Sequence, residues 1–362
     1  MKPLQGKQKQ ASSRKWTTGT DVAKLAGVSK SAVSRAFTGG IVSTDARERI
    51  MKAAAELKYR PNHSARTLTT NRSHLIAVAI TYLDNQFYPL VVQQLSEKLA
   101  NKGYRIMLFM THGEQNMDPL LDEILSYRVD GVILASSSHS AQVAKECKES
   151  HIPTIMFNNV DTSEVINGIS TDNIHGGKTL ASYLIAAGHQ KFGIVSGIET
   201  SSTSIERCAG FSEALRVAGF PAPKVESGEF MFDNAILATR KLLGRNERPD
   251  AIFCINDHMA LAALQVARNE FGLTPGQDIS IVGFDNVSIG DWPAFNLTSF
   301  AQPVDQMIDK TIDFMLAAIE TGSEQSTFER VKGQLIIRSS ARRAPGIIKD
   351  DQGREIWLLP ED

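Results

Sequence analysis

Long apolar runs are missing from this sequence. None of its 362 residues falls in a stretch of 18 consecutive apolar positions, which excludes a spanning helix of ordinary length. Cysteine is scarce. Cys147, Cys208 and Cys254 stand alone, none at C-x-x-C spacing and each inside a helical or strand pattern. That excludes a disulfide framework or a thiolate zinc site and suits buried thiols in a reducing compartment. Phosphate-binding loops are also absent. The glycine-rich spots G-G-K-T (176–179) and G-I-V-S-G (193–197) complete neither G-x-x-x-x-G-K-[ST] nor G-x-G-x-x-G. His112, His139, His151 and His175 are scattered, with no H-x-x-x-H pair, so neither a metal centre nor any other cofactor is expected. The opening MKPLQGKQKQASSRKW has no apolar segment of the kind a secretory signal needs. A cytoplasmic protein without membrane contact is the expectation, and an enzyme is not.

Net charge looks uninformative at −1 until the chain is divided. Residues 1–74 hold 15 Lys and Arg against 4 Asp and Glu, a balance of +11, and the remainder carries −12. A basic head on an acidic body points to a polyanionic partner for the head.

The head reads as three short helices after a polar, basic segment, 1–17, expected to be disordered. After Thr20, the residues Val22, Leu25 and Ala26 share a helical face, and Gly27 ends the pattern. Ser29 is a fitting N-cap for a second helix with Ala32, Val33, Ala36 and Phe37 on its inner face. In a third, Ile50, Ala53, Ala54 and Leu57 align, ahead of Pro61. Two helices joined by a tight glycine turn form a helix-turn-helix. The outward positions of its second helix are Lys30, Ser31, Ser34 and Arg35; Arg and Lys match guanine O6 and N7, and Ser serves base or phosphate. A small protein-binding module is the rival, disfavoured by the charge. Residues 62–73, NHSARTLTTNRS, allow a helix from Asn62 to about Thr69, too short to persist in water without a partner.

From Leu75 onward apolar strand patterns alternate with helical ones: 75–80, 104–109, 130–136 and 153–157, then, after a restart near 160–175, 192–197, 225–230, 250–256 and 279–285. Nearly all-apolar strands alternating with helices mean α/β units with parallel sheets covered on both faces. Extra strands at 298–302 and 331–338 flank a helix near 304–320. The end of the chain, 341–362, reads as a polar tail with an apolar patch at Trp357, Leu358 and Leu359.

The stretch T-x-x-DVAKLAGVSKSAVSRAF, followed by VSTDARERIMKAAAELKYRPNHSARTL, resembles the lactose-repressor (LacI/GalR) family of bacterial transcription regulators. That family opens with D-V-A-x-x-A-G-V-S-x-x-T-V-S-R, continues with V-S-x-x-T-R, and closes its headpiece with Y-x-P-N-x-x-A-x-x-L. The match covers 18–73, and the alternating body extends it to about residue 340. Ala32 departs from the pattern, where Thr is usual. The resemblance implies a homodimer on palindromic operator DNA, with a headpiece over 18–61 and a hinge over 62–73. It makes Leu68 the wedge between base pairs in the minor groove. Leu68 is the one large apolar residue of a polar, basic segment, although it also suits a loop cap against the body. Ser29, Asn62, His63 and Arg66 become groove and backbone contacts.

For the body, 74–340, the resemblance implies a type I periplasmic-binding-protein-like fold: two Rossmann-like subdomains, about 74–170 plus 301–330 and about 171–300 plus 331–340. A small-molecule effector, a sugar, sugar acid or similar polar metabolite, then sits between them, at the carboxyl ends of the strands. The matching residues are Phe87 and Tyr88 of N-x-[FY]-[FY], Asn158, Arg207 of R-x-x-G-[FWY], Phe230, Asn256 of an N-D pair, Asp285 of G-[FY]-D, and Gln302. Phe87 and Tyr88 also suit plain packing, and Asp257 also suits a helix cap. Asn158 stands where many sugar-binding members have Asp, replacing an acceptor by a group that also donates. No leucine heptad follows residue 340, so a dimer is expected rather than a tetramer. A free solute-binding protein would lack the headpiece.

Overall fold

The computed structural model describes residues 17–60, 72–110, 118–135, 140–158, 167–322 and 327–360. The expected disordered segment up to residue 16, and the hinge residues Asn62, His63, Arg66 and Leu68, lie outside the described residues. The chain divides into two compact units, Met1–Ser73 and His74–Asp362.

The first unit is three helices: α1 (Gly19–Ala26), α2 (Lys30–Phe37) and α3 (Thr44–Glu56). Thr18 and Asp21 cap α1 reciprocally: Asp21 N donates to Thr18 Oγ1 (3.4 Å) and Thr18 N to Asp21 Oδ2 (2.9 Å). Gly27 ends α1 at φ 63°, the left-handed region where a side chain would be strained, and this lets Ser29 start α2 two residues later. Ser29 caps α2 by accepting from Ala32 N, and Ser43 caps α3 by accepting from Ala46 N. Arg47 is structural: it donates to the carbonyls of Ala36 (2.7 Å) and Gly40 (3.0 Å), pinning the end of α2 to α3. The core is Val22, Ala23, Ala26, Val33, Ala36, Ile50, Ala53 and Ala54. Leu25, expected on the inner face, is 48% exposed, and Ala23 is buried in the core with Val22 and Ala26. Thr17, expected within the disordered segment, donates to the Leu57 carbonyl at 3.0 Å.

The second unit contains two sheets. The first holds β1 (Leu75–Ile80), β2 (Arg105–Met110), β3 (Gly131–Leu134), β4 (Thr154–Phe157), β5 (Asn167–Thr171) and β11 (Phe328–Val331) in the order β11-β5-β4-β3-β1-β2. All its pairings are parallel. Helices α4 (Phe87–Asn101), α5 (Asp118–Ser126), α6 (Ser140–Glu149) and α11 (Val304–Thr321) belong with it. The second sheet contains β6 (Phe192–Ser196), β7 (Lys224–Ser227), β8 (Ala251–Cys254), β9 (Ser280–Asp285), β10 (Thr298–Ala301), β12 (Gln334–Ile336), β13 (Ile348–Lys349) and β14 (Glu355–Trp357). Its order is β13-β14-β12-β10-β9-β8-β6-β7, with α7 (Asn173–Ala186), α8 (Ser202–Val217), α9 (Phe232–Leu243) and α10 (Asp257–Asn269) packed on it. The chain passes between the sheets three times: after β5, after β10 and after β11. Thr171 and Gln302 tie two of these passages, the Thr171 hydroxyl donating to Gln302 Oε1 at 2.6 Å.

Three expectations need correction. The strand expected at 225–230 ends at Ser227, and Glu229 and Phe230 turn away with φ of 51° and 62°. The strand expected at 331–338 is two, β11 in one sheet and β12 in the other. The expected polar tail contains a hairpin, β13–β14, that extends the second sheet. Trp357 anchors it: the ring is 5% exposed, meets Tyr183 edge-on at 5.7 Å, and its Nε1 donates to the Pro345 carbonyl. All three cysteines are free thiols, and burial pushes Cys147 and Cys208 up to about 11.

Candidate functional site

In the first unit, Ser29, Lys30, Ser31, Ser34 and Arg35 are all exposed on one stretch of α2. Burial of Val33 and Ala36 beneath them fixes that orientation. Ser29 is partly committed, since its hydroxyl caps the helix and lies 2.9 Å from that of Ser31. Ala32 is half-buried against the core, so the family's hydroxyl is replaced here by packing.

In the second unit, a cavity of about 30 Å³ lies at the carboxyl ends of strands from both sheets. Tyr82, Asn85, Phe87 and Tyr88 reach it from the segment after β1, and Asn158 from the end of β4. Thr203 and Arg207 come from α8, Phe230 from beyond β7, Asn256 from beyond β8, and Asp285 from the end of β9. All the candidate effector residues except Gln302 line it. Gln302 stands behind: its Nε2 donates to Asp285 Oδ1 at 2.6 Å, while its Oε1 takes the Thr171 hydroxyl. Tyr82 and Thr203 carry no motif. The one signal for them is position, a polar residue just past β1 and in the first turn of α8.

Arg207 is placed by helix packing. At Gly177 a side chain would run into the Arg207 carbonyl, and at Gly210 into the Ile174 carbonyl, so only glycine lets α7 and α8 approach this closely. The arginine, 2% exposed, then lies against the Phe284 ring with its guanidinium carbon 3.7 Å from the centroid. Its Nη1 donates to the Ile255 carbonyl (2.7 Å) and faces Asp285 Oδ1 at 3.5 Å. Its Nε donates to Asn173 Oδ1 (2.9 Å), Asn173 Nδ2 donates to Glu206 Oε2 (3.0 Å), and Arg330 Nη2 donates to Glu206 Oε1 (2.5 Å). Arg330 is on β11, so this relay starts at the cavity and ends in the other sheet.

The N-D pair divides its labour. Asn256, not Asp257, caps α10, its Oδ1 accepting from Met259 N at 2.9 Å. Asp257 turns away from the cavity, accepting from Ser299 Oγ (2.6 Å) and Val287 N (2.8 Å). Burial, together with the neighbouring charge of Asp285, pushes its carboxyl up to about 8. Asp285 is raised as well, mainly by burial, with Arg207 and Gln302 working the other way. Its backbone, at φ 120° and followed by Asn286 at 57°, stores strain at the strand end. Burial pushes the Tyr88 hydroxyl up to about 12, against its bond to Asn158.

Three buried polar atoms of this cavity have no hydrogen-bond partner among the described residues: Arg207 Nη2, Asn256 Nδ2 and Asn158 Oδ1. Unpaired buried polar groups are costly, and these three have hydrogen-bonding capacity to spare. Two donors and one acceptor are thus presented around a charge pair that is already balanced. A volume of about 30 Å³ holds no more than a few waters. A cavity of this size is too small for a ligand the size of a sugar as the two sheets stand.

One other constellation has catalytic chemistry but no access. His189 Nε2 lies 2.7 Å from Ser280 Oγ, and its Nδ1 lies 3.4 Å from Asp250. Ser280 and His189 are fully buried, and the hydroxyl also takes the Arg342 N–H, so this group ties strands to the chain end.

Two parallel-rich sheets joined by three crossing segments, with a polar cavity at the strand ends, define a ligand-binding body; an N-terminal helix-turn-helix adds a DNA-binding head. The profile described as periplasmic binding proteins and sugar binding domain of LacI family matches residues 73–327. That for bacterial regulatory proteins, lacI family, matches 19–62. The chain belongs to the LacI family and is a DNA-binding transcriptional regulator. It is 31% identical to the ribose operon repressor of Escherichia coli strain K12 over 330 residues, 90% of this chain and 99% of that one. It is 29% identical to the transcriptional repressor PurR of Vibrio vulnificus, covering 89% and 98% of the two chains. Among solved structures, the Lac repressor dimer bound to operator and the anti-inducer ONPF aligns with a TM-score of 0.80 at 26% identity, covering 91% of this chain and all of that one. The complex of the regulator CelR with cellobiose gives 0.70 at 27%, covering 90% and 100%. Among the described residues no helix is long and apolar enough to cross a membrane.

Proposed function

We propose that the protein is a cytoplasmic, homodimeric repressor without catalytic activity, whose hold on a palindromic operator is set by an uncharged sugar or sugar derivative. Lys30, Ser31, Ser34 and Arg35 read the major groove, with Ser29 at the backbone. Asn62, His63 and Arg66 track the adjoining groove, and Leu68 wedges between base pairs. The effector occupies the cavity of Tyr82, Phe87, Tyr88, Asn158, Thr203, Arg207, Phe230, Asn256 and Asp285, with Gln302 holding Asp285 in place. The observation that carries the ligand class is the unpartnered trio Arg207 Nη2, Asn256 Nδ2 and Asn158 Oδ1 around a compensated Arg207–Asp285 pair. Hydroxyls both donate and accept, so a polyol satisfies all three atoms, and an added anion would meet no uncompensated cation.

The effector acts by binding one arrangement of the two sheets better than another, which biases the segment leading to the headpiece. The test combines thermal unfolding against neutral sugars, sugar acids and purines with electrophoretic shifts on palindromic DNA. Stabilisation by a neutral sugar that also alters the shift is the expected result. Stabilisation confined to acids or purines overturns the ligand class, and no salt-dependent DNA shift overturns the regulator reading. For the wedge, Leu68→Ala weakens specific binding far more than non-specific binding, and equal losses on both DNAs refute it.

A further inference from the structure

A second cavity among the described residues is larger than the one between the sheets. A hollow of about 740 Å³ lies at one side of the second sheet, within the roughly 300–1,000 Å³ range of small-molecule sites. Its walls come from α10, the loop at 274–277, the segment around Asp291 and Asn296, the end of β12, and the tail hairpin. Four guanidinium groups line it, Arg268, Arg338, Arg343 and Arg354, against two carboxylates, Asp291 and Glu355. The chain beyond residue 74 carries −12, so this is a cationic hollow on an acidic unit.

The four arginines differ in how firmly they are held, and the two carboxylates facing the hollow are solvent-exposed. Arg268 bonds only to the Ala294 and Phe295 carbonyls and meets no carboxylate among the described residues. Arg343 holds Glu355 with two bonds, 2.6 and 2.9 Å, but the side chains are 58% and 36% exposed. Arg338 is fixed on the wall, its Nη1 donating to the Leu297 carbonyl and its Nη2 to Asn286 Oδ1, while its Nε donates to Asp291 at 2.8 Å, a carboxylate 71% exposed. Solvent-facing ion pairs contribute little, about 0–1 kcal/mol, so an incoming anion displaces such a carboxylate at small cost. Arg354 is held by Asp350, which does not line the hollow, and this keeps the guanidinium on the wall.

We propose that the tail hairpin completes a second ligand site, distinct from the cavity between the sheets, for a small polyanion with two or more phosphate or carboxylate groups. Guanidinium forks match both groups with paired hydrogen bonds, and a multivalent ligand engages several forks together. The proposal does not rest on the sugar reading of the other cavity.

The test uses the full chain and two probes, inorganic pyrophosphate and citrate, titrated at constant ionic strength and followed by thermal unfolding and calorimetry. Saturable stabilisation of the wild type is expected from at least one probe, and its identity decides between phosphate and carboxylate chemistry. Arg343→Gln and Arg268→Gln should each weaken it roughly tenfold or more, the worth of about one charge-assisted hydrogen bond. Glu355→Gln removes the competing carboxylate and should tighten it. This change of opposite sign stands even if an arginine variant loosens the hairpin. No saturable response overturns the proposal. So does an equal response in wild type and all three variants, which assigns the anion to the basic headpiece.

Discussion

The two units place their chemistry on opposite sides of the solvent boundary. In the headpiece the informative side chains, Lys30, Ser31, Ser34 and Arg35, are exposed, and the core beneath them is mostly alanine and valine. In the body they are hidden: Arg207 is 2% exposed and Asp285 5%, under a core rich in Phe, Leu and Ile. Exposed charges keep their hydration and are steered to a polyanion at little folding cost, whereas buried ones must be compensated before any ligand arrives. A reading surface therefore tolerates substitution that a ligand cavity does not. The reverse holds for the cores, because a small core has little to lose before it fails.

Ile50 should show the largest effect on that contrast. It is the one large aliphatic residue in the headpiece core and is fully buried. Ile50→Ala should cost about 2–5 kcal/mol, enough to unfold a unit this small and abolish operator binding. Calorimetry should show the body transition unmoved, and a headpiece that survives would mean its stability lies elsewhere. Arg207→Ala comes next. It strips the Phe284 ring and leaves Asp285 without its cation, which should lower body stability by about 3–5 kcal/mol by denaturant titration. Ligand-induced stabilisation should vanish with it, and an intact response would exclude Arg207 from the cavity's function. Arg35→Ala should weaken binding to the preferred sequence by about 1–3 kcal/mol in competition shifts, with both unfolding transitions unchanged.

The smallest effect is a pH dependence. Asp257 binds its proton more tightly folded than unfolded, since burial and the facing Asp285 push it up to about 8. The associated stability is whole below the ordinary Asp value and is lost as pH rises toward and through about 8. Body stability should therefore fall over that window, and Asp257→Asn, which carries no titratable group, should flatten the slope. An unchanged slope would place the ionisation elsewhere.

Much of this was legible from residue order alone, for physical reasons. Parallel strands buried on both faces read as apolar runs, and the residues just past them stand at the strand ends where the cavity forms. Asn158, Arg207, Asn256 and Asp285, singled out by that rule together with the family motifs, line the cavity. Gln302, singled out with them, stands behind Asp285 instead of lining the cavity, because sequence position does not distinguish the wall from the residue that holds it. The strand β5, Asn-Gly-Ile-Ser-Thr, was missed because it has a single large apolar residue and is held by its neighbours on both sides. The tail hairpin was missed because its strands are two and three residues long and Trp357 finds its partner, Tyr183, more than 170 positions earlier. Leu25 lies outside and Ala23 inside, because a short helical period does not fix which edge of the apolar face turns to the core.

The relay from Arg207 through Asn173 and Glu206 to Arg330 separates two properties a regulator must set. What is bound depends on the groups facing the cavity. On the function proposed above, how strongly the two halves register it would be set at the carboxylate–guanidinium contact of Glu206 with Arg330, residues that do not line the cavity. Selectivity and gain would then be written at different positions. Substitution at Glu206 or Arg330 would retune the amplitude of a response while keeping the same ligand.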